Sequence, residues 1–178
     1  MKTYIALTCA VLLTAACTAP GPTYQAAETS EFTQANYSAV DKLVAMTAIP
    51  VDKNLPVLIA TVVNLDSLDQ SSRFGRLISE QIATRMTQRG FNVVEMKLRN
   101  NVYIREGAGE LLLSRDVRDL SKTYNAQMVV VGNYAVAAGY AYMTLKTVAV
   151  ADNRIIGAVN YLMPLTDNNR ALLAQPKQ

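Results

Sequence analysis

The chain has no histidine and no tryptophan, and only two cysteines in 178 residues. Without histidine it lacks the commonest general base and the commonest metal ligand, so the usual serine and cysteine triads are excluded. A Ser–Lys substitute is not offered either. Ser121 and Lys122 are adjacent in sequence and therefore do not share a helix face. No phosphate-binding glycine loop is present; the glycines near Gly107 lack the required spacing. Charge is also scarce. Seventeen basic residues against 14 acidic ones give a formal net charge of +3, too little to argue for nucleic acid. The one carboxylate pairing with any pull is Asp66 with Asp69, in the loop after a predicted strand. Loops at strand carboxyl ends often form sites, but Asp and Ser are also ordinary loop and cap residues. The reading is of a protein with no enzymatic activity, no cofactor, no metal site, no nucleic-acid partner and no small-molecule substrate.

The first segment explains the cysteines. Residues 1–16 read as a secretory signal: Lys2 supplies the positive end, Ile5 to Leu13 the short apolar run, and Ala15-Ala16 the small residues before Cys17. Small residues directly before a cysteine resemble a bacterial lipobox, although Thr14 stands where that pattern prefers an aliphatic residue. The resemblance implies lipidation of Cys17 and cleavage in front of it. The plainer alternative is an ordinary secretory signal cut nearby, leaving a free Cys17. Either way Cys9 goes with the signal, no disulfide is expected, and the basic count falls by Lys2 alone to 16. Two or more acyl chains anchor stably where one is marginal. Thr18 is not Asp, the usual inner-membrane retention residue, so the expected address is the outer membrane, facing the periplasm. Residues 17–31 are the lipidated Cys and a tether rich in Pro, Thr, Ala and Gly. About 14 such residues span roughly 20 Å as flexible coil.

The organising stretch is 58–94. Val57 to Val63 is a near-continuous apolar run, as a strand buried on both faces requires. Ser71 or Ser72 caps the helix that follows. Phe74, Leu77, Ile78, Ile82 and Met86 form its apolar stripe, and Arg89-Gly90 its end. Phe91 to Met96 returns as a second strand, and a path of this length favours a parallel pair. Before this unit, Phe32 to Thr47 is predicted as a helix with Tyr37, Val40, Val44 and Ala48 on one side, Leu43 beside them, and Asp41 and Lys42 facing water. After it, 97–109 reads as a turn-rich connection and Glu110 to Tyr124 as a third helix. Strands are expected from Met128, from Tyr140 to Val150, and from Arg154 to Met163, with turns at Ala138-Gly139 and Asp152-Asn153. Residues 165–178 read as a polar tail with room for one helical turn. The order α-β-α-β-α-β-β-β implies an α+β, mixed α/β fold. Its mixed sheet has strand-helix-strand crossovers followed by antiparallel hairpins, with helices mainly on one face.

The blocks NLDSLDQSS, FGRLISEQ, REG and LSRD occur in this order through the folded region. In wording and order they closely resemble the FlgO domain, a family of outer-membrane lipoproteins associated with bacterial flagella. The resemblance covers roughly Ser38 to Pro164 and frames a FlgO-like domain over 32–164. It implies a non-enzymatic lipoprotein that supports flagellar assembly, stability or motility through contacts with flagellar basal-body or other envelope proteins, with a homo-oligomer left open. The fold order also resembles the amino-terminal domain of TolB and related periplasmic lipoproteins. Two other classes compete: a periplasm-facing lipoprotein that binds and regulates a cell-wall synthase or other envelope complex, and an envelope hydrolase or sugar-binding enzyme, which the missing histidine opposes. Two residue groups are candidate sites. Tyr134, Tyr140, Tyr142 and Tyr161 cluster in the last three strands and read as sheet packing or as a partner surface, tyrosine being enriched at interfaces. Arg105, Glu106, Arg115 and Asp116 read as an ion-pair network joining a loop to the third helix, or as partner contacts.

Overall fold

A computed structural model describes residues 30–68, 72–94 and 121–174. Signal, Cys17 and most of the tether lie outside the described residues. So do Ser71, Asp69, the connection 97–109, most of the third helix, and Arg105, Glu106, Arg115 and Asp116.

The element order is α1 (Glu31–Ala45), β1 (Pro56–Ile59), β2 (Val63–Asn64), α2 (Arg73–Gln88), β3 (Asn92–Val93), β4 (Met128–Ala137), β5 (Tyr140–Ala149), β6 (Ile155–Pro164) and α3 (Asp167–Leu173). Residues 121–124 are also helical. The sheet runs β3-β1-β4-β5-β6, with β2 paired to β4 beyond the end of β1. Pairings among β1, β2, β3 and β4 are parallel; β4–β5 and β5–β6 are antiparallel. This is the mixed sheet expected from the sequence.

The apolar run 57–63 is not one strand. Ile59 pairs with Val130 and Val63 with Asn133, so four steps on one strand face three on the other. The extra residue has a cause in α2. Val62 leaves β4 to donate its N–H to Ser79 Oγ at 2.8 Å, and its carbonyl sits where a Cβ at position 75 would be. Gly75 lets the helix approach this backbone. Ser72 caps α2, its Oγ accepting from Gly75 N–H at 2.9 Å. Gly90, with φ 82°, follows the last turn as expected.

Three helices pack on one face of the sheet. Val40 and Leu43 of α1 and Phe74, Ile78, Ile82 and Met86 of α2 meet Val57, Val130, Tyr134, Met143 and Leu145 in the main core, with Leu172 and Leu173 of α3 against it. Leu77, placed in the α2 stripe by spacing, is instead exposed at the stripe's margin. The α1 stripe is also turned from the one read in the sequence. Asn36, Ala39, Val40 and Leu43 are buried, Tyr37 and Val44 only half-buried, and Ala48 lies beyond the helix. The opposite face holds a small cluster of Leu58, Ala126 and Val129, with Tyr124 packed against it. The segment 165–174, read from sequence as part of a polar tail, packs against the domain. Leu165 and Asn169 are buried, and Arg73 Nη2 donates to the carbonyls of Ala171 at 2.7 Å and Ala174 at 3.0 Å, holding the end of α3 to α2.

Both C-terminal turns form. Ala138 and Gly139 both have positive φ, 40° and 102°, and close on the pair Ala137–Tyr140, a two-residue hairpin. At the other turn only Asn153 is left-handed, with φ 59°. Its N–H reaches Ala149 O, so the loop is longer than the two-residue turn expected at Asp152-Asn153.

Candidate functional site: the outer face of the C-terminal strands

Alternation along β4, β5 and β6 divides the four tyrosines. Tyr134 and Tyr161 point toward the helices. Tyr134 is 1% exposed, in edge-to-face contact with Phe74 at 5.2 Å, and its hydroxyl pairs with Ser72 Oγ at 2.7 Å. Burial raises its pKa, and the Ser72 hydrogen bond partly opposes that. Tyr161 donates its hydroxyl to Asn36 Oδ1 at 2.6 Å, and burial pushes its pKa well above the usual phenol range. The period of two puts both on the core side of the sheet, so they pack against the helices and stand apart from Tyr140 and Tyr142, with which the sequence grouped them.

Tyr140 and Tyr142 point the other way and are 44% and 52% exposed. Cross-strand register builds rows around them. Ala135, Tyr142 and Leu162 form one row; Ala137, Tyr140 and Pro164 form the next. Leu162 is itself exposed. Asn133, Thr144 and Asn160 continue the face, with Thr144 Oγ1 donating to Asn160 Oδ1 at 2.9 Å. The result is an open apolar-aromatic strip on rigid, paired strands, bordered by neutral hydrogen-bonding groups. Its chemistry suits contact with another protein: large rings with a polar tip, little entropy to lose, and no charge to desolvate.

Elsewhere among the described residues, polar clusters tie the helices to one another and to the sheet. Asn36, buried in α1, receives the Tyr161 hydroxyl and donates through Nδ2 to Gln81 Oε1 at 2.6 Å; Gln81 Nε2 donates to Thr33 Oγ1 at 3.2 Å. This network ties both helices to β6. Asn36 falls among the apolar positions at helical spacing, the signal that would have found it. Asp41 does not face water alone as expected. It accepts from Arg85 Nη2 at 2.6 Å and Arg89 Nη2 at 2.5 Å, and hydrogen bonds from both guanidiniums hold its carboxyl far below the usual carboxylate range. Arg85 also lies 5.2 Å from the Tyr37 ring centre. Asp66 is exposed in the turn after β2, its N–H donating to Asn64 Oδ1. Among the described residues no group of three or more His, Cys, Asp or Glu side chains comes together. A cleft of about 170 Å³ lies between Val44, Val51, Met86, Phe91 and Met128, with Lys53 at its rim, small against the roughly 300–1,000 Å³ of ligand pockets. No helix of the described residues is long and apolar enough to cross a membrane.

The fold is shared with solved structures. The C-terminal domain of LpoB from Salmonella enterica matches over 76% of this chain and all of its own, at 16% identity and TM-score 0.58. LpoB from Escherichia coli, solved by NMR, covers 91% of this chain and 81% of its own at 12% identity and TM-score 0.54. Lipoprotein GNA1162 from Neisseria meningitidis matches over 64% of this chain and 82% of its own, at 8% identity and TM-score 0.50. No curated protein sequence matches the chain. The model of the family described as FlgO protein matches residues 37–168, a span that holds every described strand and most of α1. The chain belongs to the FlgO family.

Proposed function

We propose that this protein is a non-enzymatic lipoprotein of the bacterial envelope, held by lipid on Cys17 at the outer membrane and facing the periplasm. There it supports flagellar assembly, stability or motility through protein–protein contacts. The observation that carries the reading is the open strip of Tyr140, Tyr142 and Leu162, set on paired strands of a domain that belongs to the FlgO family. Its division of the chain is a signal over 1–16, an anchor and tether over 17–31, and a binding domain over 32–164. The mechanism is positional: the lipid raises the local concentration of the binding face where its partner stands. A second reading, regulation of a cell-wall synthase or another envelope complex, draws on the fold shared with the LpoB domains.

The test is swimming spread in soft agar by a deletion strain rescued with the wild type, with Cys17→Ser, or with Tyr140→Ser/Tyr142→Ser. Motility should return with the wild type and fail with both variants, while the tyrosine variant accumulates normally. Normal swimming by the deletion strain, in a host with no second copy, would sink the flagellar reading. Full rescue by the tyrosine variant would clear the strip of any part in it.

A further inference from the structure

Among the described residues the last strand, β6, is an edge of the sheet, and its hydrogen-bonding groups can be followed one by one. A two-residue turn at Ala138-Gly139 closes on the pair Ala137–Tyr140, so Tyr140, Tyr142, Thr144 and Lys146 turn their backbone groups toward β4. Ala141, Met143, Leu145 and Thr147 therefore turn theirs toward β6, onto Met163, Tyr161, Val159 and Gly157. Ala158, Asn160, Leu162 and Pro164 are left pointing away from the sheet.

The two ends of this outward row are already closed. Ile156, beside the bulge opposite Thr147 and Val148, accepts from Ala48 N–H through its carbonyl at 2.7 Å. Pro164 has no N–H, and its carbonyl accepts from Thr166 N–H at 3.1 Å and Asn169 Nδ2 at 2.6 Å. Between them the N–H and C=O groups of Ala158, Asn160 and Leu162 have no hydrogen-bond partner among the described residues. Ile156 and Pro164 stand four residues to either side of Asn160, so the open stretch is centred on Asn160. Strand β6 carries no charged residue, although edges are commonly blunted by one.

We propose that β6 pairs antiparallel with β6 of a second copy of this chain, across a two-fold axis at Asn160. In that register Asn160 meets Asn160 of the second copy, and Ala158 meets Leu162. Each pair exchanges both of its backbone hydrogen bonds, and every open group of the stretch is used. A shift of two residues in either direction would set an outward residue against Ile156 or Pro164, whose carbonyls are occupied, so the closed ends fix the register. The sheet becomes continuous through both copies. The exposed Leu162 side chain packs on Ala158 of the neighbour, and the Tyr140–Tyr142 strips of the two copies lie on the same face of one larger sheet. This goes beyond the proposed function, since either envelope partner would meet a paired surface.

Five residues of strand give a weak contact in dilute solution, so the test is disulfide trapping of the intact protein in its own envelope. Facing Cα atoms of a hydrogen-bonded antiparallel pair stand about 5.5 Å apart, within disulfide reach. Asn160→Cys should cross-link to itself under mild oxidation. Ala158→Cys alone should stay at the background of the wild-type chain, because its copies stand about four strand residues apart, roughly 13 Å. Ala158→Cys and Leu162→Cys co-expressed should cross-link to each other. The proposal is overturned if Asn160→Cys stays monomeric while present at wild-type level, or if Ala158→Cys cross-links to itself as readily, which marks chance collision. Trapping of Asn160→Cys on a different protein would give the edge to that protein's strand and overturn the second copy. Swimming defects in the tyrosine variant with intact Asn160→Cys trapping would separate this contact from the flagellar reading.

Discussion

The two faces of the sheet differ in what their residues are for. On the helix side, apolar residues from α1, α2 and the strands close into one core. Among the polar atoms that enter it, Asn36 Oδ1 and the hydroxyls of Tyr134 and Tyr161 are matched to partners within 2.7 Å, and Thr147 Oγ1 donates to Gly157 O at 3.4 Å. On the other side, beyond the small cluster around Leu58, the same strands present Tyr140, Tyr142, Leu162 and Ile155 to solvent. Strands β5 and β6 thus feed the core on one face and, on the other, carry the strip proposed above as a binding surface, residue by alternate residue. Substitutions on the two faces should therefore separate folding from function.

The widest separation is expected at Phe74. Its ring is fully buried between Phe32 and Tyr134, edge-on to both at 5.7 and 5.2 Å. Phe74→Ala should cost about 3–5 kcal/mol, read as a shifted denaturant midpoint. Leu162→Ala, on the open face, should change stability by less than about 0.5 kcal/mol. Equal losses at the two sites would mean that the open face is covered in the folded protein, and the contrast would fall.

Polar groups sharpen the comparison. Tyr161→Phe keeps the ring and removes only the hydroxyl that Asn36 Oδ1 accepts, leaving a buried acceptor short of a donor; the expected loss is about 1–3 kcal/mol. The same change at Tyr142 should be nearly silent in a melt, its hydroxyl being on an exposed ring.

Much of this division can be read from the sequence, and the failures have physical causes. Strand β5 alternates, so its two faces follow from the period of two; what clustering in sequence hides is that Tyr134 and Tyr161 lie on the face opposite to Tyr140 and Tyr142. Helix α2 was legible because its cap, its stripe and Gly90 agree with one another. The break at Val62 was not, because it depends on Ser79 and Gly75 reaching back from a helix that the strand's own residues do not describe. Asn36 shows its burial by its spacing with Ala39, Val40 and Leu43, but its role is clear only once Tyr161 and Gln81, far away in sequence, are brought beside it. The open edge of β6 carries no motif and emerges only from the hydrogen-bond pattern.

Asp41 links the helix layer in a way that pH can probe. Its pKa in the folded chain lies below the ordinary 3.8, lowered chiefly by hydrogen bonds from Arg85 and then Arg89. The folded state therefore holds this proton less tightly than the unfolded state does. The stabilisation is complete above the unfolded value and is lost as pH falls from there through the folded one. Melting temperature should drop on acidification below about pH 4, and Asp41→Asn should flatten part of that drop while lowering stability at neutral pH. An acid limb unchanged by the substitution would assign it to other carboxylates.

The smallest effect expected is a gain. Ala138 holds φ 40° in the turn between β4 and β5, a left-handed conformation that strains a Cβ against the following carbonyl. Asparagine tolerates this region better than alanine, and it stands at φ 59° in the neighbouring turn at Asn153. Ala138→Asn should raise stability by roughly 0.5–1 kcal/mol, and it leaves the row of Tyr140, Tyr142 and Leu162 in register. Thermal unfolding of the variant checks the gain, and soft-agar rescue checks that function is untouched. A stabilised variant that no longer rescues would mean that the β4–β5 turn itself meets the partner, extending the binding face past the end of the sheet.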